Sequence, residues 1–237
     1  MSLRNKVALV TGGSKGIGYG IARALLGEGM QVAITSRSQS SADEAAHALA
    51  PDSDRVLAIE ADVSSYESQQ QCLQKIIDTW GQVDVVIANA GVGHFASIED
   101  LTVEDWQETI DTNLTGVFYT VKSSVEALKK SKGYLFTISS LAGTNFFPKG
   151  SAYNASKFGL TGFTQAVMLD LRKYDIKVTT IMPGSVATYF NGHVPNDEDG
   201  WKIQIEDLGQ MVVDLLQMHP RVLPSKIEVR PSKTASS

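Results

Sequence analysis

Cysteine is nearly absent from this chain: Cys72 is the one thiol in 237 residues. No internal disulfide can form, and no Cys/His set stands at zinc spacing, so a reducing compartment and no metal site are expected. Long apolar runs are missing as well. No stretch approaches the ~20 residues of a membrane span. The opening MSLRNKVALV leads straight into an apolar run of about five residues, too short for a signal-peptide core. Nor is there an excess of positive charge. With 21 Lys and Arg against 26 Asp and Glu, the formal net charge is −5. Global attraction to nucleic acid or to an anionic membrane is thereby excluded, and any basic site must be local. The expectation is a cytoplasmic protein without nucleic-acid or membrane partners.

The chain is 43% hydrophobic and 20% charged, ordinary for a globular protein and long enough for a substantial core. Short apolar runs such as VALVT, MQVAITS, RVLAIEADV, VDVVIANAG, GYLFTISS and IKVTTIMPG alternate with amphipathic stretches. Strands bounded by turn residues and separated by helices predict βαβ units. The fold class is therefore α/β: a doubly wound, Rossmann-type, mostly parallel sheet with helices on both faces. No composition shift marks a linker, so residues 1–230 read as one domain, and the polar residues 231–237 as a disordered tail.

Between the first strand and first helix lies TGGSKGIG, with Gly12, Gly16 and Gly18 spaced G-x-x-x-G-x-G. Glycines there let the backbone approach a pyrophosphate, which the helix N-terminus holds with free N–H groups and its dipole. Ser14, Lys15 and Ile17 complete the turn. Two alternatives are a purely structural turn and a serine-hydrolase elbow, since Gly12 to Gly16 also fits G-x-S-x-G around Ser14. At the end of the second strand, AITSRS carries Arg37 where an acid would accept ribose hydroxyls in an NAD site. Arg37 and Lys15, with the hydroxyls of Ser36 and Ser38, suit a 2′-phosphate, so NADP(H) is the expected cofactor. Asp62, followed by Val63, closes the third strand and could accept from an adenine amino group.

Further along, SAYNASK puts Tyr153 and Lys157 one helical turn apart on one face. A lysine held near a phenol favours the phenolate and would lower its pKa from about 10. The alternative is a solvated face shared by chance.

With TGGSKGIG, ANAG (88–91), ISS (138–140), YNASK and Pro183-Gly184 in this order, the chain resembles the short-chain dehydrogenase/reductase family over about residues 6–188, its 3-oxoacyl-carrier-protein reductase-like members included. The resemblance implies catalytic roles for Asn113, Ser140, Tyr153 and Lys157. Tyr153 would be the acid in carbonyl reduction and the base in alcohol oxidation. Lys157 would lower its pKa and hold the nicotinamide ribose, Ser140 would bind the substrate oxygen, and Asn113 would hold a water in a proton relay. Asn89, Ala90 and Gly91 would support the adenine side, and Pro183, Gly184, Val186 and Thr188 the nicotinamide end. The implied activity is NADP(H)-dependent carbonyl–alcohol interconversion on a small molecule; a cofactor-binding sensor without turnover is the alternative.

A homodimer or homotetramer is implied too, through an apolar stripe at Leu114, Val117, Val121, Val125 and Leu128 and a stripe of small residues at 152, 155, 159, 162 and 166. Periodicity alone fits packing within the monomer equally. Residues 188–202 have no period and read as a mobile loop closing over substrate. His94, Phe95, Phe146, Phe147, Tyr189, Phe190 and Trp201 are candidate lining for a partly apolar carbonyl compound. Lys129, Lys130 and Lys132 form a basic cluster that either docks an acidic carrier protein or simply suits a helix C-terminus.

Overall fold

The computed structural model describes residues 2–51 and 53–234. Seven strands run β1 (Val7–Val10), β2 (Gln31–Ser36), β3 (Val56–Glu60), β4 (Val85–Ala88), β5 (Tyr134–Ile138), β6 (Lys177–Pro183) and β7 (Lys226–Val229). They form one wholly parallel sheet in the order β3-β2-β1-β4-β5-β6-β7. Alternation along each strand assigns side chains to two cores. Ala8, Val10, Val85, Ile87 and Phe136 face helices α1 (Gly16–Gly27) and α7 (Ile205–Gln217). Val7, Leu9, Val86, Ala88 and Leu135 face α3 (Tyr66–Trp80), α5 (Gly116–Ser131) and α6 (Ser151–Leu171). The period of two in the sequence thus feeds both faces, as a doubly wound sheet requires. The remaining helices are α2 (Gln39–Leu49) and α4 (Val103–Ile110).

Local chemistry sets the ends. Ser65 accepts a hydrogen bond from the Ser68 N–H at the start of α3, and Gly81 closes that helix with a left-handed φ of 80°. Thr102 caps α4, whose first turn carries Glu104 and Asp105 beside the positive end of the helix dipole. The stretch expected to hold one or two helices is a single rod interrupted at Asp111–Thr115 by a π turn, which buries Asn113 completely. Val117, Val121 and Leu128 of the apolar stripe pack inward on the sheet. Residues 231–234 of the expected tail are described, and Pro231, Lys233 and Thr234 border the cleft at the sheet's C-terminal edge; residues 235–237 lie outside the described residues. Among the described residues no helix is long and apolar enough to cross a membrane.

The strand order reverses between β1 and β4, the place where an open parallel sheet leaves a crevice beyond its strand ends. One wall of that crevice depends on α7 lying directly on α1. A Cβ on Gly209 would stand 2.7 Å from the Gly20 carbonyl oxygen and 2.9 Å from Ala24 Cβ. Helix propensity alone makes Gly209→Ala stabilising by about 1 kcal/mol. The backbone contact predicts the opposite, a loss of about 1–3 kcal/mol from forced separation. Urea unfolding distinguishes the two by sign.

Candidate active site

One cleft of about 2270 Å³ runs along the C-terminal ends of the strands. That exceeds the ~300–1,000 Å³ of an ordinary small-molecule pocket, leaving room for an extended ligand and a second molecule. Every sequence-predicted site residue lines it except Gly18, Phe95 and Asn113.

The floor is the glycine turn. Gly12 has φ +62°, and a Cβ there would meet the Ala90 backbone at 2.9 Å. At Gly18 a Cβ would lie 2.5 Å from Asn89 Nδ2. These approaches are locked by side chains: Asn89 Nδ2 donates to the carbonyls of Thr11 (2.9 Å) and Gly12 (3.1 Å). The buried Thr11 hydroxyl accepts from the amides of Asn89 and Ala90. Thr11 opens the TGGSKGIG motif, but the spacing of the glycines says nothing of this bracing role. Helix α1 begins with no side-chain cap and no acid in its first turn. Its leading N–H groups therefore open on the cleft with no side-chain partner among the described residues, the donor set a pyrophosphate needs. Across the groove, Thr188 lies 3.5 Å from where a Gly16 Cβ would be. The residues present fit a dinucleotide. The hydrolase alternative finds no support, since no histidine is hydrogen-bonded to Ser14 among the described residues.

At the adenosine end, Lys15 is exposed and makes no side-chain hydrogen bond or ion pair among the described residues. Arg37 Nη1 lies 3.3 Å from Glu108 Oε1. Asp62, just past the end of β3, accepts from the Ser64 amide and hydroxyl at 2.9 and 2.8 Å.

At the other end, Tyr153 and Lys157 share a face of α6. Phe95 and Phe190 enclose the phenol ring, with centroids 5.3 and 5.7 Å away. Burial raises the Tyr153 pKa above its ordinary value, and the nearby Ser140 hydroxyl opposes that rise. The expected lowering by Lys157 is not what this arrangement produces. Lys157 is 5% exposed. Its ammonium donates to the Ile138 carbonyl at 3.0 Å and stands 5.7 Å from the ring centroid. Burial pulls its own pKa from 10.5 to about 8. Of the two serines, Ser139 is buried and bonded to Thr161 and the Lys157 carbonyl. Ser140 is half-exposed and turns its oxygen toward the phenol, accepting the Ala142 amide at 3.1 Å.

Asn154, silent within the YNASK motif, braces this loop by donating to the carbonyls of Ala142 and Asn145, both at 2.7 Å. Asn113 accepts from the Val92 amide at 2.8 Å and donates to the Val92 carbonyl at 2.8 Å and to Ser156 Oγ at 3.1 Å.

The segment after Thr188 is not shapeless. Two short 3₁₀ turns, Phe190–Gly192 and Asp197–Trp201, fold around the buried Asp199. Lys202, His193 and the Asn196 amide hold that carboxylate down to a pKa of about 2. The lysine cluster is at the other end of the molecule. Lys132 ends α5 beside Gly133, before β5 starts, and pairs with Asp175, while Lys129 pairs with Glu126.

A parallel sheet with its crevice at the strand-order reversal, over an uncapped helix N-terminus, is a doubly wound dinucleotide-binding fold. The chain belongs to the short chain dehydrogenase family, whose model matches residues 6–199. It is an oxidoreductase of that family. An uncharacterized oxidoreductase of Staphylococcus saprophyticus is 32% identical over 98% of this chain and 99% of its own. Trans-4-hydroxycyclohexanecarboxylate dehydrogenase of Sinomonas cyclohexanicum is 33% identical over 86% of this chain and 83% of its own. Among solved structures, an alcohol dehydrogenase of Thermococcus sibiricus complexed with 5-hydroxy-NADP superposes with a TM-score of 0.89 at 32% identity, covering 97% of each chain. A 3-ketoacyl-(acyl-carrier-protein) reductase of Brucella melitensis complexed with NADH shares the fold, with a TM-score of 0.89 at 24% identity over 98% of this chain and 99% of that one.

The buried ammonium of Lys157 weakens the fold. Below about pH 8 it is charged in both native and unfolded states, and the native state bears the desolvation. From about 8 to 10.5 the native state gives up its proton first, so stability climbs with pH. Lys157→Met, in the protein without cofactor, is expected to gain about 1–2 kcal/mol at pH 7 after losing the bond to Ile138. The corresponding rise in Tm is roughly 3–6 °C, shrinking as pH rises to ~10. A lower Tm than wild type at pH 7 would refute the burial argument.

Proposed function

We propose that the chain is an NADP(H)-dependent oxidoreductase that interconverts a carbonyl and an alcohol, with Tyr153 as its proton donor in reduction and proton acceptor in oxidation. The carrying observation is the Tyr153 phenol standing opposite Ser140, with the buried Lys157 one turn away on the same helix face. When bound, the cofactor supplies or takes the hydride.

The chain's own residues do the rest. The raised pKa of Tyr153 keeps its proton at neutral pH, so the phenol is ready to donate to a developing alkoxide, and Ser140 offers a second donor to the same oxygen. Lys157 needs only one hydrogen to satisfy the Ile138 carbonyl, leaving others for a ribose hydroxyl. Both amide hydrogens of Asn113 are committed to Val92 and Ser156, so a water held by this side chain would donate to Oδ1, which already accepts the Val92 amide. Pyrophosphate would rest on the amides of Gly16, Ile17 and Gly18, and a 2′-phosphate on Lys15, Arg37 and the hydroxyls of Ser36 and Ser38. Asp62 and Val63 would face the adenine, Asn89 to Gly91 its ribose side, and Pro183, Gly184, Val186 and Thr188 the nicotinamide. The NADP analogue in the Thermococcus enzyme supports this cofactor. The phenylalanine wall and the relative acting on a hydroxycyclohexanecarboxylate favour a compact, partly apolar ketone or secondary alcohol. A sensor that binds cofactor without turnover is disfavoured, because binding alone has no use for a proton donor such as the Tyr153 phenol beside Ser140.

A homodimer through α5 and α6 belongs to the same reading. Phe118 and Phe158 are 43% and 44% exposed, and Leu169 is 62% exposed. Beside them Ala155, Gly162 and Ala166 keep one strip of α6 flat and exposed. Large apolar side chains exposed together on one face favour a partner there. Light scattering after gel filtration should give at least twice the 25.6 kDa chain mass, and Phe158→Arg should give the monomer; a monomeric wild type sinks the assembly.

The enzymatic reading is tested by following NADPH oxidation with cyclic ketones, aldehydes and 3-oxoacyl thioesters, wild type beside Tyr153→Phe. Expected is turnover in the wild type and a loss of at least ~10²-fold in the variant, with NADPH binding retained. Equal turnover in both proteins removes Tyr153 from the chemistry.

A further inference from the structure

Arg37 does not stand free at the mouth of the cleft. Its Nη1 lies 3.3 Å from Glu108 Oε1, which reaches over from α4. The other oxygen of Glu108 is 2.9 Å from His94 Nε2, and His94 Nδ1 is 3.3 Å from Asp105 Oδ1. Asp105 and Glu108 are one turn apart on α4, so the imidazole is clamped between two carboxylates of one helix face. Glu108 is thus steadied from behind, with its charge toward the guanidinium. Arg37, Glu108 and His94 all border the same cleft as Lys15.

An incoming ribose 2′-phosphate needs the guanidinium that Glu108 holds. It also brings about −1.5 to −2 charges near that carboxylate. A ribose with free hydroxyls meets neither cost. We propose that Glu108 is a cofactor-discriminating residue that competes with the 2′-phosphate for Arg37, so that the chain binds NADPH less tightly relative to NADH than its two cations alone would allow. This rests on the NADP(H) reading of the same groove. Both side chains are exposed, Arg37 by 73% and Glu108 by 42%, so the effect is modest and sensitive to salt.

The test is the dissociation constant of NADPH and of NADH, titrated by nucleotide fluorescence, for wild type, Glu108→Gln, Arg37→Asp and the double variant. Glutamine keeps the size of the side chain and can still hydrogen-bond His94. Glu108→Gln should tighten NADPH about two- to fivefold and leave NADH unchanged. The gain should fade in roughly 0.5 M salt and vanish when Arg37 is already Asp. If Glu108→Gln leaves the NADPH-to-NADH ratio as in wild type while Arg37→Asp moves it strongly toward NADH, Glu108 plays no part and the 2′-phosphate assignment stands. If Arg37→Asp leaves the ratio unmoved, that assignment falls and takes this inference with it.

Discussion

The cleft exists because β1 and β4 lie side by side while their chains leave the sheet toward opposite faces. From β1 the chain turns into α1 on one face; from β4 it passes through residues 89–101 to α4 and α5 on the other. Nothing then covers the ends of those two strands, and the gap must be prevented from collapsing or splaying. That is the work of Thr11 and Asn89. A buried hydroxyl accepts two amides of the departing β4 chain, and an amide side chain donates back to two carbonyls of the glycine turn. The requirement that the Gly12 and Ala90 backbones touch follows from this lacing.

Around that fixed opening the chemistry is arranged at some expense to the fold. Lys157 carries a charge into a buried position where, among the described residues, its hydrogen-bond partner is the Ile138 carbonyl. In the protein without cofactor, burial dominates both members of the Tyr153–Lys157 pair, raising the phenol and lowering the ammonium. Proximity in sequence did not translate into a phenolate, because burial penalises the charged form of each group, the phenolate as well as the ammonium. The phenylalanines that enclose Tyr153 sharpen the same effect by keeping water from it.

Much of this was legible beforehand, for identifiable reasons. Strands and helices announced themselves through alternation and amphipathic spacing, and the motif order located the strand ends where the cleft lies. Features made by distant residues were not legible. The π turn at Asp111–Thr115 leaves no pattern in DTNLT, since its cause is Asn113 reaching Val92 and Ser156. Residues 188–202 looked formless because their order comes from one buried carboxylate, Asp199, rather than from periodicity. Arg37 read as a partner for a 2′-phosphate, and nothing in the sequence pointed to Glu108, its partner in the structure, 71 positions away. Contacts of long sequence separation are what single-sequence patterns cannot carry.

An all-parallel sheet also has a polarity that sorts surface charge by use. Its C-terminal edge holds the glycine turn, the serines, Tyr153 and the loops that surround them. Its N-terminal edge holds Lys132 beside Gly133, in an ion pair with Asp175, while Lys129 pairs with Glu126 and lies over the Tyr174 ring at 4.4 Å. A carrier docked on that cluster would stand a full strand away from Tyr153, ~17 Å for five residues. Cations there neutralise the negative end of α5 and its neighbouring acids. The lysine cluster is thus paired with acids at the end of α5, at the edge of the sheet opposite the cleft.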